Sequence, residues 1–231
     1  MAITTEQLKN HLALALDTDS LDHALELAES CKEVFGVIKV GLELYSAYGP
    51  EVIHRLTDRG FQVFVDLKLY DIPTTVGKAS SVLSKYGCTY LTVHAAAGRA
   101  ALTAAVEGAA RGGRESGNAP AKILAVTVLT SEVAAEEDLI SRMDVSSDTG
   151  CDGVICAAND IHFLKERHPN MLAVVPGIRP AGSRHHDQVR IATPSEALSK
   201  GADLLVIGRA VTESSDPHKA AIAIIADIGK I

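Results

Sequence analysis

Short apolar segments alternate with longer amphipathic segments along almost the whole chain. The apolar segments are too short for core helices and nearly uniform in character, which is typical of strands in a parallel sheet covered by helices. The predicted strands are Leu12–Asp17, Val37–Gly41, Gln62–Lys68, Tyr90–His94, Lys122–Leu129, Gly153–Ala157, Leu172–Gly177 and Asp203–Gly208.

The segments between these strands have the spacing of helices. Leu21–Phe35 carries apolar residues at helical intervals, and Asp19 or Ser20 is its predicted N-cap. Eight strands with helical connections in 231 residues predict an α/β fold, a (β/α)8 TIM barrel forming a single domain over residues 1–231. An open doubly wound sheet is the alternative, weakened because no strand is followed by a GxGxxG turn. The glycine-rich segment Arg111–Asn118 is predicted to be a surface loop.

Polar side chains collect where the predicted strands end. In a barrel of this kind the carboxyl ends of the strands carry the active site. A helix cap or an ion pair could explain each polar residue alone, but packing does not explain so many at one end. These residues are Asp17, Lys39, Asp66, Lys68, His94, Thr130, Ser131, Arg179 and Arg209.

The third strand holds the densest group of charges. Side chains alternate along a strand, so Phe64, Asp66 and Lys68 face the same way. Asp71 lies beyond the strand, and Pro73 prevents the strand from continuing. Alternating charges at the end of a buried strand are unfavourable unless they pair or take part in chemistry. A structural ion pair remains the competing explanation.

Other polar residues also have structural alternatives. Asp17 could cap the next helix instead of binding a ligand. Lys39 lies inside an apolar strand, where an unpaired ammonium is unfavourable, so a functional role is favoured. His94 is more simply explained as a hydrogen-bonded core histidine than as a base. Thr130 could merely begin the following helix.

The loops after the seventh and eighth strands indicate a phosphate site. Gly177 precedes Arg179 by two residues, and Gly208 directly precedes Arg209. Glycine lets backbone N–H groups approach a phosphate, and arginine adds a forked, charged donor. Because these loops commonly bind phosphate in barrels, a phosphorylated ligand is favoured.

Composition narrows the possible partners and location. The net charge of −7 gives no electrostatic reason to expect nucleic-acid binding. No apolar run approaches about 18–20 residues, so no membrane span is expected, and the N-terminus lacks the pattern of a signal peptide. The four cysteines have no metal-ligand spacing and are expected to be reduced thiols in a cytoplasmic protein.

Over nearly its whole length the chain resembles the orotidine 5′-phosphate decarboxylases of the bacterial type. The Asp-x-Lys-x-x-Asp core is shared with magnesium-dependent sugar-phosphate decarboxylases and hexulose-phosphate synthases. The following Ile-Pro-x-Thr favours the nucleotide enzyme. The resemblance rests on Leu16-Asp17, Ile38-Lys39-Val40-Gly41, Asp66-Leu67-Lys68-Leu69-Tyr70-Asp71-Ile72-Pro73-Thr74-Thr75, Thr127-Val128-Leu129-Thr130-Ser131, Pro176-Gly177-Ile178-Arg179-Pro180, Asp187-Gln188 and Val206-Ile207-Gly208-Arg209.

The resemblance implies that orotidine 5′-monophosphate is converted to uridine 5′-monophosphate and CO2, the last step of de novo pyrimidine nucleotide synthesis, without a cofactor or metal. It implies that Lys68 stabilises and protonates the C6 carbanion and that Asp66 holds Lys68. Lys39 would complete the charge network and, with Asp17, contact the ribose hydroxyls.

The resemblance also assigns residues to the rest of the substrate and to a second subunit. Asp71 and Thr75 would reach the neighbouring subunit's site, which implies a homodimer with shared active sites. Thr130 would contact the pyrimidine, and Gln188 would bridge the pyrimidine and the phosphate. The residues expected to hold the phosphate are Arg179, Gly208 and Arg209.

Two other functions stay open at this point. One is a magnesium-dependent sugar-phosphate decarboxylase or hexulose-phosphate synthase of the same barrel group. The other is a non-catalytic phosphate- or nucleotide-binding protein, which the two lysines and two aspartates argue against because phosphate binding needs none of them. The segment from Ser131 to Cys151 is shorter than usual for the family, which predicts a truncated helix between strands five and six.

Overall fold

Eight parallel strands close into a barrel in which each strand pairs with the next and the last pairs with the first. The computed structural model describes residues 8–129, 135–180 and 192–229. The predicted (β/α)8 barrel is therefore confirmed, and the open doubly wound sheet is excluded. The strands are β1 Leu12–Leu16, β2 Val37–Val40, β3 Gln62–Leu69, β4 Tyr90–His94, β5 Lys122–Val126, β6 Gly153–Ile155, β7 Leu172–Val175 and β8 Leu204–Ile207.

Helices connect the strands and cover the outside of the barrel. No helix within the described ranges is long and apolar enough to cross a membrane. The described α-helices are α1 Leu21–Ser30, α2 Leu42–Tyr48, α3 Glu51–Thr57, α4 Pro73–Lys85, α5 Arg99–Ser116, α6 Glu136–Asp148, α7 Ile161–Arg167, α8 Pro194–Ser199, α9 Arg209–Thr212 and α10 Pro217–Ile228.

Local capping explains where several helices begin. Ser20 is the N-cap of α1, and its hydroxyl accepts a hydrogen bond from the His23 N–H at 3.4 Å. Thr193 and Glu196 form a reciprocal capping box at the start of α8. The predicted end of α1 was wrong, since the helix stops at Ser30 and a turn leads to the buried Phe35.

The strands separate two apolar cores. Alternate side chains such as Ala13 and Ala15 point into the barrel, whereas Leu14 and Leu16 pack outward against the helices. Inside the barrel, Phe64 contacts a tyrosine of β4 edge to face, with ring centroids 5.9 Å apart. The filled interior leaves an opening at the carboxyl ends of the strands.

The prediction of a loop at Arg111–Asn118 was wrong, because α5 continues through Ser116. The glycines of this segment serve close helix packing rather than a turn. A Cβ on Gly108 would overlap the Gly77 carbonyl oxygen on α4, and one on Gly112 would overlap the Ser81 carbonyl oxygen. Only glycine permits the two backbones to approach so closely.

Most strands end one to three residues earlier than predicted. The largest difference is in β5, which ends at Val126 rather than Leu129. Val128 and Leu129 leave the sheet but line the opening of the barrel, so their apolar character reflects the pocket rather than the strand. The connection between β5 and β6 contains the thirteen-residue α6.

Candidate active site

A pocket opens at the carboxyl ends of the strands and brings together most of the predicted site residues. It is lined by charged groups at the ends of β1, β2 and β3 and by the Gly-Arg loops after β7 and β8, and β8 pairs with β1. Apolar side chains of the barrel interior form its floor. The lining residues with predicted roles are Asp17, Lys39, Asp66, Lys68, Arg179, Gly208 and Arg209.

Four charged side chains form a continuous chain of alternating sign across three strands. The Nζ of Lys39 lies 3.3 Å from Oδ1 of Asp17 and 3.6 Å from Oδ2 of Asp66. The same Oδ2 of Asp66 accepts a hydrogen bond from the Lys68 Nζ at 2.9 Å. Each ammonium is therefore next to a carboxylate, as buried charges require.

The two inner side chains of this charge chain are less exposed than the two at its ends. The side chains of Lys39 and Asp66 are 11% and 13% exposed, whereas that of Asp17 is 59% exposed and that of Lys68 is 34% exposed. The inner pair is held within the protein, and the outer carboxylate and ammonium are open to a ligand. Lys39 therefore does not extend to solvent, and its functional role stays a prediction.

The carboxyl group of Asp66 is held in its ionised form. Burial by itself would raise the pKa of Asp66, but the charges of Lys39 and Lys68, with hydrogen bonds from Lys68 and Thr92, outweigh burial and lower it. Asp66 is thus a fixed negative charge between two ammonium groups.

The backbone of β3 is irregular where the charges lie. Lys68 has φ of 50°, the left-handed region, and is the one non-glycine residue with positive φ in the described ranges. The pairing register with β4 shifts between Val65 and Leu69. Such a conformation is strained for a residue with a Cβ and is found where the surroundings enforce it. Asp66 and Lys68 still face the pocket together, as strand alternation predicted.

Sequence reasoning missed two residues that shape the charge chain. Thr92 of β4 is fully buried, and its hydroxyl donates to Oδ1 of Asp66 at 3.0 Å. A Cβ on Gly41 would lie 2.8 Å from Oδ1 of Asp17 and 3.2 Å from Nζ of Lys39. Thr92 could have been found from the sequence, because a threonine in the middle of an apolar strand needs a hydrogen-bond partner. The position of Gly41 gave no such signal.

The part of the pocket formed by the loops after β7 and β8 has the character expected of an anion site. Arg179 is 5% exposed, and its backbone N–H donates to the Ala192 carbonyl at 3.0 Å. Gly208 is the N-cap of α9, whose first residue is Arg209. Both arginines line the same pocket as Lys68, so the predicted phosphate residues and charge chain face one cavity.

The remaining predicted residues lie elsewhere. Asp71 and Thr75 are exposed and do not line the pocket of their own chain. Oδ1 of Asp71 accepts the Ile72 N–H at 2.7 Å. Thr130 and Gln188 lie outside the described residues.

Histidine and cysteine residues take structural positions. Nδ1 of His94 accepts the Ala96 N–H at 3.2 Å and caps a short helix. His94 is hydrogen-bonded, as its structural explanation predicted, but it is only half-buried and does not lie in the core. The four cysteines are buried free thiols. Within the ranges that the structure describes, no group of three or more His, Cys, Asp or Glu side chains could hold a metal ion.

The fold and the pocket define a (β/α)8-barrel enzyme with a charged site at the carboxyl ends of its strands. A family model described as Orotidine 5′-phosphate decarboxylase / HUMPS family matches residues 10–224, and the chain belongs to this family.

Curated relatives and solved structures agree with this assignment. The chain is 40% identical over 219 residues to an orotidine 5′-phosphate decarboxylase of Sphingopyxis alaskensis, covering 90% of this chain and 94% of the relative. It is 42% identical over 234 residues to one of Moorella thermoacetica, covering 95% of this chain and 92% of the relative. The crystal structure of orotidine 5′-phosphate decarboxylase from Lactobacillus acidophilus is similar with a TM-score of 0.81 and 34% identity, covering 95% of this chain and 99% of that chain.

Proposed function

We propose that this protein decarboxylates orotidine 5′-monophosphate to uridine 5′-monophosphate by a metal-free mechanism centred on Lys68. The observation that carries the proposal is the alternating set of carboxylates and ammonium groups in a pocket that Arg179 and Arg209 also line. The family and the names of the curated relatives support the same substrate.

In this mechanism Lys68 supplies both charge stabilisation and the proton. The bond between C6 and the carboxylate breaks, CO2 leaves, and the electron pair stays on C6. An ammonium fixed beside C6 stabilises that pair as it develops, and its proton is then transferred to C6. Lys68 is left neutral and regains a proton from solvent. The 2.9 Å hydrogen bond to Asp66 keeps the Lys68 side chain oriented before the reaction.

The inner and outer carboxylates have different roles. Asp66 is the ionised group that fixes Lys68, and we assign the departing carboxylate of the substrate to the part of the pocket next to Asp66. Asp17 is exposed and within 3.3 Å of Lys39, so this pair can bind vicinal hydroxyl groups of the ribose.

Arg179, Gly208 and Arg209 are assigned to the substrate phosphate. Phosphate binding far from the reacting carbon can contribute to catalysis because remote binding energy holds the reacting group in place. Thr130 is assigned to the pyrimidine and Gln188 to a bridge between pyrimidine and phosphate, both on the basis of the family resemblance.

The proposed enzyme is a homodimer in which each active site receives Asp71 and Thr75 from the partner subunit. Both residues are exposed and outside the pocket of their own chain, in agreement with a role across an interface. The neighbouring Tyr70 and Ile72 are each 66% exposed, which is unusual for large apolar side chains unless a partner covers them. We assign the enzyme to the cytoplasm, since its four cysteines are free thiols.

The test is the loss of the ultraviolet absorbance of orotidine 5′-monophosphate upon mixing with purified protein in excess EDTA. We expect full turnover with formation of one uridine 5′-monophosphate for each CO2 released. Activity that requires Mg²⁺ would instead indicate the sugar-phosphate decarboxylases and synthases that share the barrel. Tight binding of uridine 5′-monophosphate without turnover would indicate a nucleotide-binding protein.

A further inference from the structure

Thr92 occupies a position on β4 that directly adjoins the charge chain. Its side chain is fully buried and, by strand alternation, faces the barrel interior with Tyr90 and His94. A buried hydroxyl in an apolar strand is unfavourable unless its hydrogen-bonding capacity is used. The partners of Thr92 are two atoms of the irregular segment of β3.

The two hydrogen bonds of Thr92 fix the direction of its hydroxyl. The Lys68 backbone N–H lies 2.9 Å from Oγ1 and can only donate, so Oγ1 is the acceptor there. The hydroxyl hydrogen is then available to Oδ1 of Asp66, 3.0 Å away. One side chain thus orders both the backbone at Lys68 and the carboxylate of Asp66.

The pairing of β3 with β4 explains why a side chain is needed at this position. Val65 pairs with Leu91 and Leu69 pairs with Val93, so only Thr92 lies opposite the three residues between them. A register shift of this kind leaves backbone groups without their ladder partners. The Lys68 N–H has no acceptor in the regular ladder, and the Thr92 hydroxyl accepts it instead. Lys68 is also the residue whose φ is 50°.

The hydroxyl also determines which oxygen of Asp66 meets the lysines. With Oδ1 bonded to Thr92, Oδ2 is the oxygen that contacts Lys68 at 2.9 Å and Lys39 at 3.6 Å. Without the hydroxyl the carboxylate can rotate about its terminal bond, and the Lys68 backbone loses its hydrogen bond.

We propose that Thr92 is a positioning residue that acts through Asp66 and Lys68 to hold the Lys68 ammonium in its reactive geometry. The inference rests on the proposed decarboxylation. It assigns no contact between Thr92 and the substrate.

The test compares Thr92→Val, which keeps the shape but removes the hydroxyl, with Thr92→Ser, which keeps the hydroxyl. Because a hydrogen bond to a charged group contributes about 1.5–3 kcal/mol, Thr92→Val should lower kcat about ten- to a hundredfold with KM little changed. Thr92→Ser should retain most of kcat. A Thr92→Val enzyme with wild-type kcat, or a Thr92→Ser enzyme as impaired as Thr92→Val, overturns the proposal.

Thr127→Val is the matched control for a purely structural effect. Thr127 is equally buried, and its hydroxyl donates to the backbone carbonyl of Ile155 at 2.8 Å rather than to a charged side chain. We expect this variant to lose stability but not kcat. An equal loss of kcat in Thr127→Val and Thr92→Val would show that the effect is general destabilisation.

A second measurement separates this inference from the proposed function. The pKa of the Asp66 carboxyl, followed by carbon NMR, should be higher in Thr92→Val than in the wild type, because a hydrogen bond to the ionised form is lost. Thr92→Ser should stay near the wild type. If the wild type does not decarboxylate the nucleotide, the proposed function fails while this titration still tests Thr92. An unchanged Asp66 pKa in Thr92→Val overturns the positioning role.

Discussion

At the scale of single residues, the site combines a fully satisfied carboxylate with a strained lysine. Both oxygens of Asp66 are bonded, Oδ1 to Thr92 and Oδ2 to Lys68. The backbone of Lys68 adopts φ of 50°, which is unfavourable for any residue with a Cβ. The protein therefore holds its proposed proton donor in a conformation that the lysine itself does not favour.

This strain predicts a difference between two inactive variants. Lys68→Ala and Lys68→Gly both remove the ammonium, so neither should decarboxylate orotidine 5′-monophosphate. Glycine adopts positive φ without penalty, so Lys68→Gly should be more stable than Lys68→Ala by about 1 kcal/mol in the free energy of unfolding. Denaturant unfolding of the two variants measures the difference.

The comparison with alanine removes the effect of the lost ion pair, which both variants share. Equal stabilities, or a less stable glycine variant, would contradict a strained backbone at this position. Substantial turnover by either variant would contradict the role of Lys68 as proton donor.

Gly41 provides a second prediction, concerning function rather than stability. In Gly41→Ala the new methyl group would lie 2.8 Å from Asp17 Oδ1 and 3.2 Å from Lys39 Nζ. Both atoms end adaptable side chains, so the fold should accommodate the change while the pair is displaced. We expect KM for the nucleotide to rise about tenfold, a loss near 1.4 kcal/mol of binding, with the melting temperature nearly unchanged.

Gly229→Ala is the control for Gly41→Ala. Its Cβ would lie 3.5 Å from the Ile225 carbonyl oxygen, an ordinary contact at the end of α10, far along the chain from the charged residues. Steady-state kinetics should give Gly229→Ala the same kcat and KM as the wild type. A wild-type KM in Gly41→Ala would remove the Asp17–Lys39 pair from ribose binding.

At the scale of elements, α4 and α5 pack with their backbones in close contact. Small residues allow the contact: glycines of α5 lie against the backbone of α4 at Gly77 and Ser81. The first residues of α4 follow directly after Asp71, so this helix pair fixes the segment that is proposed to enter the partner's site.

Two buried serines of α4 predict opposite effects of the same substitution. Ser84 Oγ donates to the Ala109 carbonyl at 2.9 Å and accepts the Ala121 N–H at 3.1 Å. Ser80 Oγ is buried without a hydrogen-bond partner among the described residues. Ser84→Ala should lower the free energy of unfolding by about 1–3 kcal/mol, because it leaves buried polar groups unsatisfied. Ser80→Ala should be neutral or stabilising.

Chemical denaturation of both alanine variants checks this contrast. Each loses one oxygen from the same helix, so helix propensity changes equally in the two cases. Comparable losses of stability would show that the Ser80 hydroxyl is also bonded in solution.

At the scale of the whole molecule, the proposed active site is divided between subunits. Asp71 is exposed on its own chain, whereas Lys68 lines its own pocket. An Asp71→Ala dimer and a Lys68→Ala dimer should each be inactive for different reasons. A mixed dimer has one site that lacks both groups and one site that has both.

Complementation of these two variants tests the division. After subunit exchange in an equal mixture, half of the dimers are mixed and each has one complete site, so about a quarter of wild-type activity should return. The control is the same exchange between Lys68→Ala and a Lys68→Ala, Asp71→Ala double variant, in which no dimer has a complete site. No recovered activity, in a mixture shown to contain mixed dimers, would place Asp71 in its own chain's site or outside both.

The sequence predicted the barrel because the spacing of apolar segments reports strands and helices directly. Strand alternation also placed Phe64, Asp66 and Lys68 on one face, and the structure confirms this. Reasoning from residue type failed at Arg111–Asn118, where the glycines indicated a loop but the chain forms a helix through Ser116. Those glycines are present because another helix lies against them, and a local pattern contains no information about that neighbour.

The sequence alone thus determined the eightfold alternation of strands and helices and the clustering of polar residues at one end of the barrel, since both follow from local periodicity. Only the tertiary structure decided that Lys39 meets both Asp17 and Asp66, that Thr92 bonds Asp66, and that Lys68 adopts positive φ. These contacts join residues on different strands, and their distances depend on barrel closure and on the register of β3 against β4. Register is a property of paired strands, which no single segment of the chain encodes by itself.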